Sequence, residues 1–241
     1  MQRKAYTLLK EAEGSWWYRG RARVIRAMLK RAGVSLPVRS VLDFGVGNGA
    51  SYTDFAQVRG AVDAFEPDEE ARAGAALRGY RRTYETAEEA LARPAYDLIG
   101  LCDVLEHIRD DVGVLQSVRE ALTPGGTLVI TVPAFGFLWG EHDTVHHHFR
   151  RYNRRGLKRV LEEAGYEIRA LSYWNTLLFI PAALVRLAGR SGSSALHLPK
   201  MLDVLLFGLI AGEAALLSVF SSPLGLSLVA IARKKERQPL Q

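Results

Sequence analysis

Three glycines at alternate positions, Gly45, Gly47 and Gly49, follow the apolar run Val41-Leu42 and an aspartate, Asp43. Glycine adopts positive φ without strain and lets a ligand lie close to the main chain. A sharp turn of this kind between a strand and the free N–H groups of a helix start is the outline of a nucleotide site. About twenty residues further on, where such sites keep an acid for the ribose, Val62-Asp63-Ala64-Phe65-Glu66-Pro67 ends a second apolar run in a carboxylate. The spacing Gly45, Gly47, Ala50 also fits the dinucleotide fingerprint G-x-G-x-x-G/A, which alone is weak. Asp43 tilts the choice. An anion beside the turn repels a pyrophosphate and favours a ligand with ammonium or sulfonium groups. Gly49 departs from the dinucleotide pattern as well, which leaves a nicotinamide-dependent oxidoreductase as the minor alternative.

A second set of reactive side chains runs Trp139-Gly140-Glu141-His142-Asp143-Thr144-Val145-His146-His147-His148-Phe149-Arg150-Arg151-Tyr152. Histidine titrates near neutrality and suits a base. His142, Asp143 and His146 are the candidates for base, orienter or metal ligand. An organic base or orienter is preferred and no metal site is assigned, because three consecutive histidines cannot all face one ion in an extended or helical segment. The plain alternative is that the histidines and arginines tie this loop to the sheet edge. Asp103 could cap the helix that follows it, His107 reads as a helix-packing residue, and Cys102 as a small buried hydrophobe. Cys102 is the single cysteine, which excludes an internal disulfide and a multi-cysteine zinc site and fits a reducing compartment.

Elements must position these groups. From 39 to 133 short apolar runs alternate with helical stretches, the pattern of βαβ units and a parallel sheet. Strands are expected near 39–44, 61–65, 80–84, 96–101 and 126–132, and helices near 49–58, 68–77, 86–92 and 110–122. Residues 134–155 form a long loop, of the sort that usually carries function. Helix returns at 154–164, strand at 166–173, and a last strand at 225–233. The first 33 residues read as helical, interrupted by the patch Ser15-Trp16-Trp17-Tyr18-Arg19, which serves either as a lid or as an aromatic anchor. A chain of 241 residues with 48% hydrophobic content suits one domain with a small appendage.

Three further segments complete an ordered set: Tyr96-Asp97-Leu98-Ile99-Gly100-Leu101-Cys102-Asp103-Val104-Leu105-Glu106-His107-Ile108, Leu122 to Pro133, and Leu161 to Ile168. Over residues 39–173 the set resembles the class I S-adenosylmethionine-dependent methyltransferases. The resemblance implies an α/β fold, a doubly wound, mostly parallel seven-stranded sheet of Rossmann-like type, with an apolar helical insertion before the last strand. It implies S-adenosyl-L-methionine as cofactor, held by Asp43, Gly45, Gly47, Gly49, Glu66 and the adjoining Pro67. Cys102, Asp103 and Val104 would line its methionine side. The family's adenine contacts fall near Tyr84 to Thr86, where its acid-aliphatic pair is missing here. The loop after the fifth strand resembles a branch with a tryptophan, then His-Asp, then His and Arg-Arg-Tyr, which often accompanies polyprenyl, glycolipid or surface-polysaccharide metabolism. The implied activity is methyl transfer to a small-molecule or lipid-linked acceptor, oxygen slightly favoured over nitrogen. A non-catalytic binding or scaffold protein on the same fold is the alternative. Net charge is +6, yet no base-amine motif or RNA-binding module is present, so no nucleic-acid partner is favoured.

The chain divides into an N-terminal helical lid (1–38), a cofactor-binding core (39–173), an apolar helical cap (174–222) and a final strand with tail (223–241). Met201 to Phe220 approaches the ~20 residues of a membrane span, but Asp203, Glu213 and the strand that follows argue against one. The cap has three uses open to it: covering the acceptor pocket, forming a homodimer face, or dipping into the membrane interface. Met1 to Trp17 is charged and without an apolar core, so no signal peptide is expected there. The location expected is cytoplasmic, with peripheral contact at the inner membrane face open.

Overall fold

The computed structural model describes residues 14–58, 60–92, 95–187 and 199–235. The helix expected over residues 1–13 and the tail beyond residue 235 lie outside them. Seven strands form one sheet: β1 (Ser40–Phe44), β2 (Ala61–Phe65), β3 (Arg82–Tyr84), β4 (Tyr96–Cys102), β5 (Leu122–Pro133), β6 (Tyr166–Trp174) and β7 (Ser227–Lys234). Their spatial order is β3-β2-β1-β4-β5-β7-β6. β1 to β5 pair in parallel, and β7 enters antiparallel between β5 and β6. The order reverses between β1 and β4, and a crevice opens at the carboxyl ends of strands where a sheet switches direction.

Alternate strand residues feed two cores, as the two-residue period of a strand requires. Leu42, Ile99, Leu101 and Ile130 pack on one face with Leu115 and Val118 of α5 (Asp111–Ala121) and Leu157 and Leu161 of α7 (Arg154–Glu163). Val41, Leu98, Val129, Val229 and Ile231 pack on the other with Val24, Ile25, Met28 and Leu29 of α1 (Trp16–Arg31). Because both faces are covered, the strands read as continuous apolar runs. Phe55 of α2 (Tyr52–Ala56) seats so closely on β4 that a Cβ at Gly100 would lie 2.0 Å from its ring. Between these lie α3 (Glu69–Ala75) and α4 (Ala87–Leu91), capped by Asp68 and Thr86.

Trp16 of the aromatic patch begins α1, with Ser15 before it making no side-chain cap. The cap comes from far away, since the Trp16 N–H donates to Asp203 Oδ1 at 2.7 Å and Arg19 pairs with the same carboxylate. The helix expected over 49–58 contracts to α2, because the glycine turn occupies its first residues. The long loop after β5 is partly folded, with a 3-10 turn at Gly136–Leu138 and α6 at Glu141–Val145.

The segment before β7 holds α8 (Phe179–Leu187) and α9 (Lys200–Leu217). α9 lies on α1 with Ile210 pressed against Gly20, where a Cβ would meet it at 2.8 Å. The two acids that argued against a span are both engaged by protein: Asp203 as above, and Glu213 by the N–H and hydroxyl of Thr176 at 3.0 and 2.7 Å. Among the described residues no helix is long and apolar enough to cross a membrane. The outer side of α8 and α9 nevertheless exposes Ile180, Leu184, Met201, Val204 and Leu205, with Phe220 beyond them.

Candidate functional site

After Phe44 the chain turns through Gly45, Gly47 and Gly49 with φ of +79°, +56° and +85°. The N–H groups of Gly45 and Val46 donate to the Phe65 carbonyl at 2.8 and 3.2 Å, which joins the turn to the end of β2. Gly47 N–H donates to Glu66 Oε2 at 2.7 Å and Asp68 N–H to Oε1 at 3.0 Å. Glu66, buried at the end of β2, thus faces the glycine turn from the neighbouring strand. Pro67 beside it is exposed, and its carbonyl accepts from Arg72. The physical reason for two of the glycines is protein packing. A Cβ at Gly45 would lie 2.8 Å from Val104, and one at Gly49 would lie 3.0 Å from the Ala75 backbone of α3.

Asp43 is almost wholly buried (1% exposed). Its Oδ2 accepts from Ser51 Oγ at 2.7 Å and from the Tyr80 hydroxyl at 2.6 Å. Burial pushes its carboxyl up from 3.8 to about 6, although both hydrogen bonds pull the other way.

On the β4 side Cys102 is buried, and burial raises its thiol well above the usual range. Asp103 holds a left-handed backbone at φ +57°. It does not cap the following turn: Oδ1 accepts from Thr131 at 3.1 Å and Oδ2 from Arg21 at 2.6 Å. Left-handed non-glycine residues recur along this edge, at Phe135 after β5 and Asn175 after β6. Such conformations cost about 1–3 kcal/mol each and gather at functional sites.

Arg21 was not singled out from the sequence. It is 3% exposed, projects from α1 and donates from Nε to Asp54 Oδ2 at 2.9 Å as well as to Asp103. Burial works against its charge, but Asp54 and Asp103 more than offset it. Burial also pushes the Asp54 carboxyl up to about 7 against the pull of Arg21. Tyr18, one turn before, packs against Ala50 of the glycine turn. Trp17 stacks on Trp174 with ring centres 4.8 Å apart, so it anchors α1 on the sheet.

The loop after β5 gathers its histidines at the same carboxyl edge. Ring centres lie 4.2 Å apart for His142 and His146, and 5.9 Å for His142 and His148. His107, from the 3-10 turn Leu105–His107, joins them at 4.6 Å from His148. His142 is exposed and His146 buried. Burial and the neighbouring His148 hold His146 down near 4.

Asp143 is the knot of this loop. It is fully buried, and accepts from Arg151 Nε at 2.7 Å, from Gly140 N–H at 2.8 Å, and pairs with His148 Nδ1 at 2.8 Å. Burial alone would raise its carboxyl, but these bonds hold it well below the usual range. Arg150 and Tyr152 both reach Asp111 Oδ2, at 2.7 and 2.8 Å. The Arg-Arg-Tyr run therefore fastens the loop to α5 and, through the Tyr152 N–H that donates to the Pro133 carbonyl at 3.0 Å, to the end of β5, and the histidines stand on that frame. Asp43, Gly45, Gly47, Gly49, Glu66, Cys102, Asp103 and Val104 meet around the ends of β1, β2 and β4; His142 and His146 belong to the histidine group after β5.

A family model described as a methyltransferase domain matches residues 16–171. A probable S-adenosylmethionine-dependent methyltransferase of Mycolicibacterium smegmatis is 28% identical over 192 residues, 77% of this chain and 71% of its own. A ubiquinone biosynthesis O-methyltransferase of Vibrio cholerae is 38% identical over 96 residues, which span 36% of this chain and only 39% of that one. Among solved structures, an S-adenosylmethionine-dependent methyltransferase from Mesorhizobium loti superposes with a TM-score of 0.54 at 17% identity, covering 87% of this chain and 95% of that one. Haemonchus contortus phosphoethanolamine N-methyltransferase 2, in complex with S-adenosyl-L-methionine, gives 0.55 at 18% identity, covering 88% and 52%. The structural likenesses establish the fold.

Proposed function

Because the chain belongs to the class I S-adenosylmethionine-dependent methyltransferases, enzymes whose cofactor is S-adenosyl-L-methionine, we propose that it methylates a hydroxyl group on a small or lipid-linked acceptor. The residues present fit that cofactor. Buried Asn48 Nδ2, inside the glycine turn, has no hydrogen-bond partner among the described residues. Two carboxylates, Asp43 and Glu66, end adjacent strands beside it. The cofactor supplies a methyl group already activated on a sulfonium. Glu66 is the residue for the ribose hydroxyls, and Asp43, with Asp103 across the crevice, supplies negative charge for the ammonium and sulfonium. Pro67, Cys102 and Val104 line the same space. Residues 1–38 act as a cover through Tyr18 and Arg21, and residues 174–222 as the apolar cap.

The observation that carries the acceptor assignment is the group of imidazoles at this same carboxyl edge. A methyl transfer needs alignment and exclusion of water, and a hydroxyl acceptor also needs its proton removed. His146, held near 4 by burial, is neutral at pH 7 and so able to accept a proton. Exposed His142 beside it passes that proton to solvent, and Asp143 orients the cluster through His148. The ubiquinone O-methyltransferase relatives support oxygen over nitrogen for their matched stretch. The exposed apolar side of α8 and α9 supports a lipid-linked acceptor reached from the inner membrane face, with the protein otherwise cytoplasmic.

Transfer of labelled methyl to phenols and to polyprenyl-linked hydroxyl compounds, with matched amines alongside, tests the assignment. The expected result is turnover on a hydroxyl acceptor that His142→Ala and His146→Ala abolish while S-adenosylhomocysteine still binds. Turnover on amines alone, or full turnover in both variants, contradicts it.

A further inference from the structure

We propose that Glu106, His107 and His148 form a binding site for a divalent first-row transition-metal ion of the zinc or manganese kind. One ligand atom from each residue lies within 4.8 Å of the others, and the three come from two separate segments. The segments are held in register by main chain, since Phe149 N–H donates to the Glu106 carbonyl at 2.8 Å. One carboxylate and two imidazoles form a donor set suited to zinc, manganese or iron(II) rather than to calcium or magnesium, which prefer all-oxygen shells.

The surroundings already have the form that metal ligands require. A metal-bound histidine nearly always donates its second ring N–H to a carboxylate or carbonyl, which fixes the ring and leaves one lone pair for the ion. His148 Nδ1 meets Asp143, itself fastened by Arg151 and Gly140, so Nε2 is the nitrogen left to bind. His107 bonds the main chain of His146, which leaves its other nitrogen. Glu106 is 1% exposed, and its Oε2 has no partner among the described residues. An unpartnered carboxyl oxygen inside a protein is costly, and either a proton or a cation offsets that cost.

Asp103 lies close but is engaged by Arg21 and Thr131, so it contributes charge from outside. The objection to three consecutive histidines on one ion does not arise. Only His148 of the run takes part, and His147, at φ +56°, turns the chain between His146 and His148. Three protein ligands leave coordination positions open. If the acceptor is a hydroxyl compound, as proposed above, an ion here would bind its oxygen and lower its pKa. That role rests on the proposed function; the binding site itself does not.

Calorimetric titration of the chelator-treated full chain with Zn2+ and Mn2+, with Mg2+ for comparison, tests the site. One transition ion per chain should bind, Mg2+ at least tenfold more weakly, and Glu106→Gln should weaken binding at least tenfold without lowering the melting temperature. If Glu106→Gln does not fold, His107→Gln carries the same test. Absence of binding by either transition ion, or binding that neither variant weakens, overturns the site. S-adenosylhomocysteine titrated in parallel separates the two ideas. Its binding without metal binding sinks only the metal site, and the reverse leaves the site standing while sinking the function.

Discussion

Replacing Asp43 with asparagine should stabilise the protein more and more as pH rises. In the fold this carboxyl is pushed from 3.8 to about 6, chiefly by burial. A group whose pKa is raised on folding contributes stability below its unfolded value and loses that contribution as pH climbs through its folded value. From these two values, the raised carboxyl costs about 3 kcal/mol at pH 8, where it is ionised in the fold, and about 1.5 kcal/mol at pH 5, where it must take up a proton to fold. The side chain is 1% exposed, so solvent does not screen this cost. Asparagine keeps the shape and an acceptor for Ser51 or Tyr80 but carries no charge. Any change in those hydrogen bonds is the same at every pH and drops out of the comparison. Asp54 adds in the same direction, because the Asp43 charge helps to raise it. Urea unfolding of cofactor-free wild type and Asp43→Asn at pH 5 and pH 8 is the assay. The variant's stability relative to wild type should rise by about 1.5 kcal/mol between the two. A difference that stays flat, or that falls with pH, refutes the claim that Asp43 is a buried, charged residue kept for a ligand.

Two further outcomes follow from the geometry. Gly45→Ala should lose about 2–4 kcal/mol of stability from a positive φ and a Cβ 2.8 Å from Val104; thermal melting checks this, and an unchanged melting temperature contradicts it. Asp143→Ala leaves Arg151, 3% exposed at its side chain, without its carboxylate and releases His148; urea unfolding should show a loss of about 3–5 kcal/mol, with Asp143→Asn losing less.

Much of the sheet was legible because its strands are buried on both faces and so appear as unbroken apolar runs. Glu66 and Asp43 stood out as acids ending such runs, and they do end adjacent strands. What escaped depends on distance along the chain. Asp203 caps α1 across 187 residues, and no local pattern at Ser15 announces it. Arg21 reaches Asp54 and Asp103 from a helix that looks separate in sequence. Its signal was present, however. With Val24, Ile25 and Met28 it occupies the three- and four-residue spacing of one helix face, and a charge on an apolar face marks a buried partner. His107 reads as a packing residue when only its own helix is considered. It becomes part of a cluster once His147 turns the chain and brings His148 to it. Asp103 has the residue type of a cap, but its left-handed backbone directs it to Arg21 and Thr131 instead.

Calorimetric titration with S-adenosylhomocysteine, of wild type and of Glu66→Ala, tests most directly whether the carboxyl ends of β1 and β2 hold the cofactor. Wild type should bind one equivalent, and Glu66→Ala should bind at least about tenfold more weakly, the worth of a charged hydrogen-bond acceptor removed from a ribose. Equal affinity in a folded Glu66→Ala variant would contradict that placement.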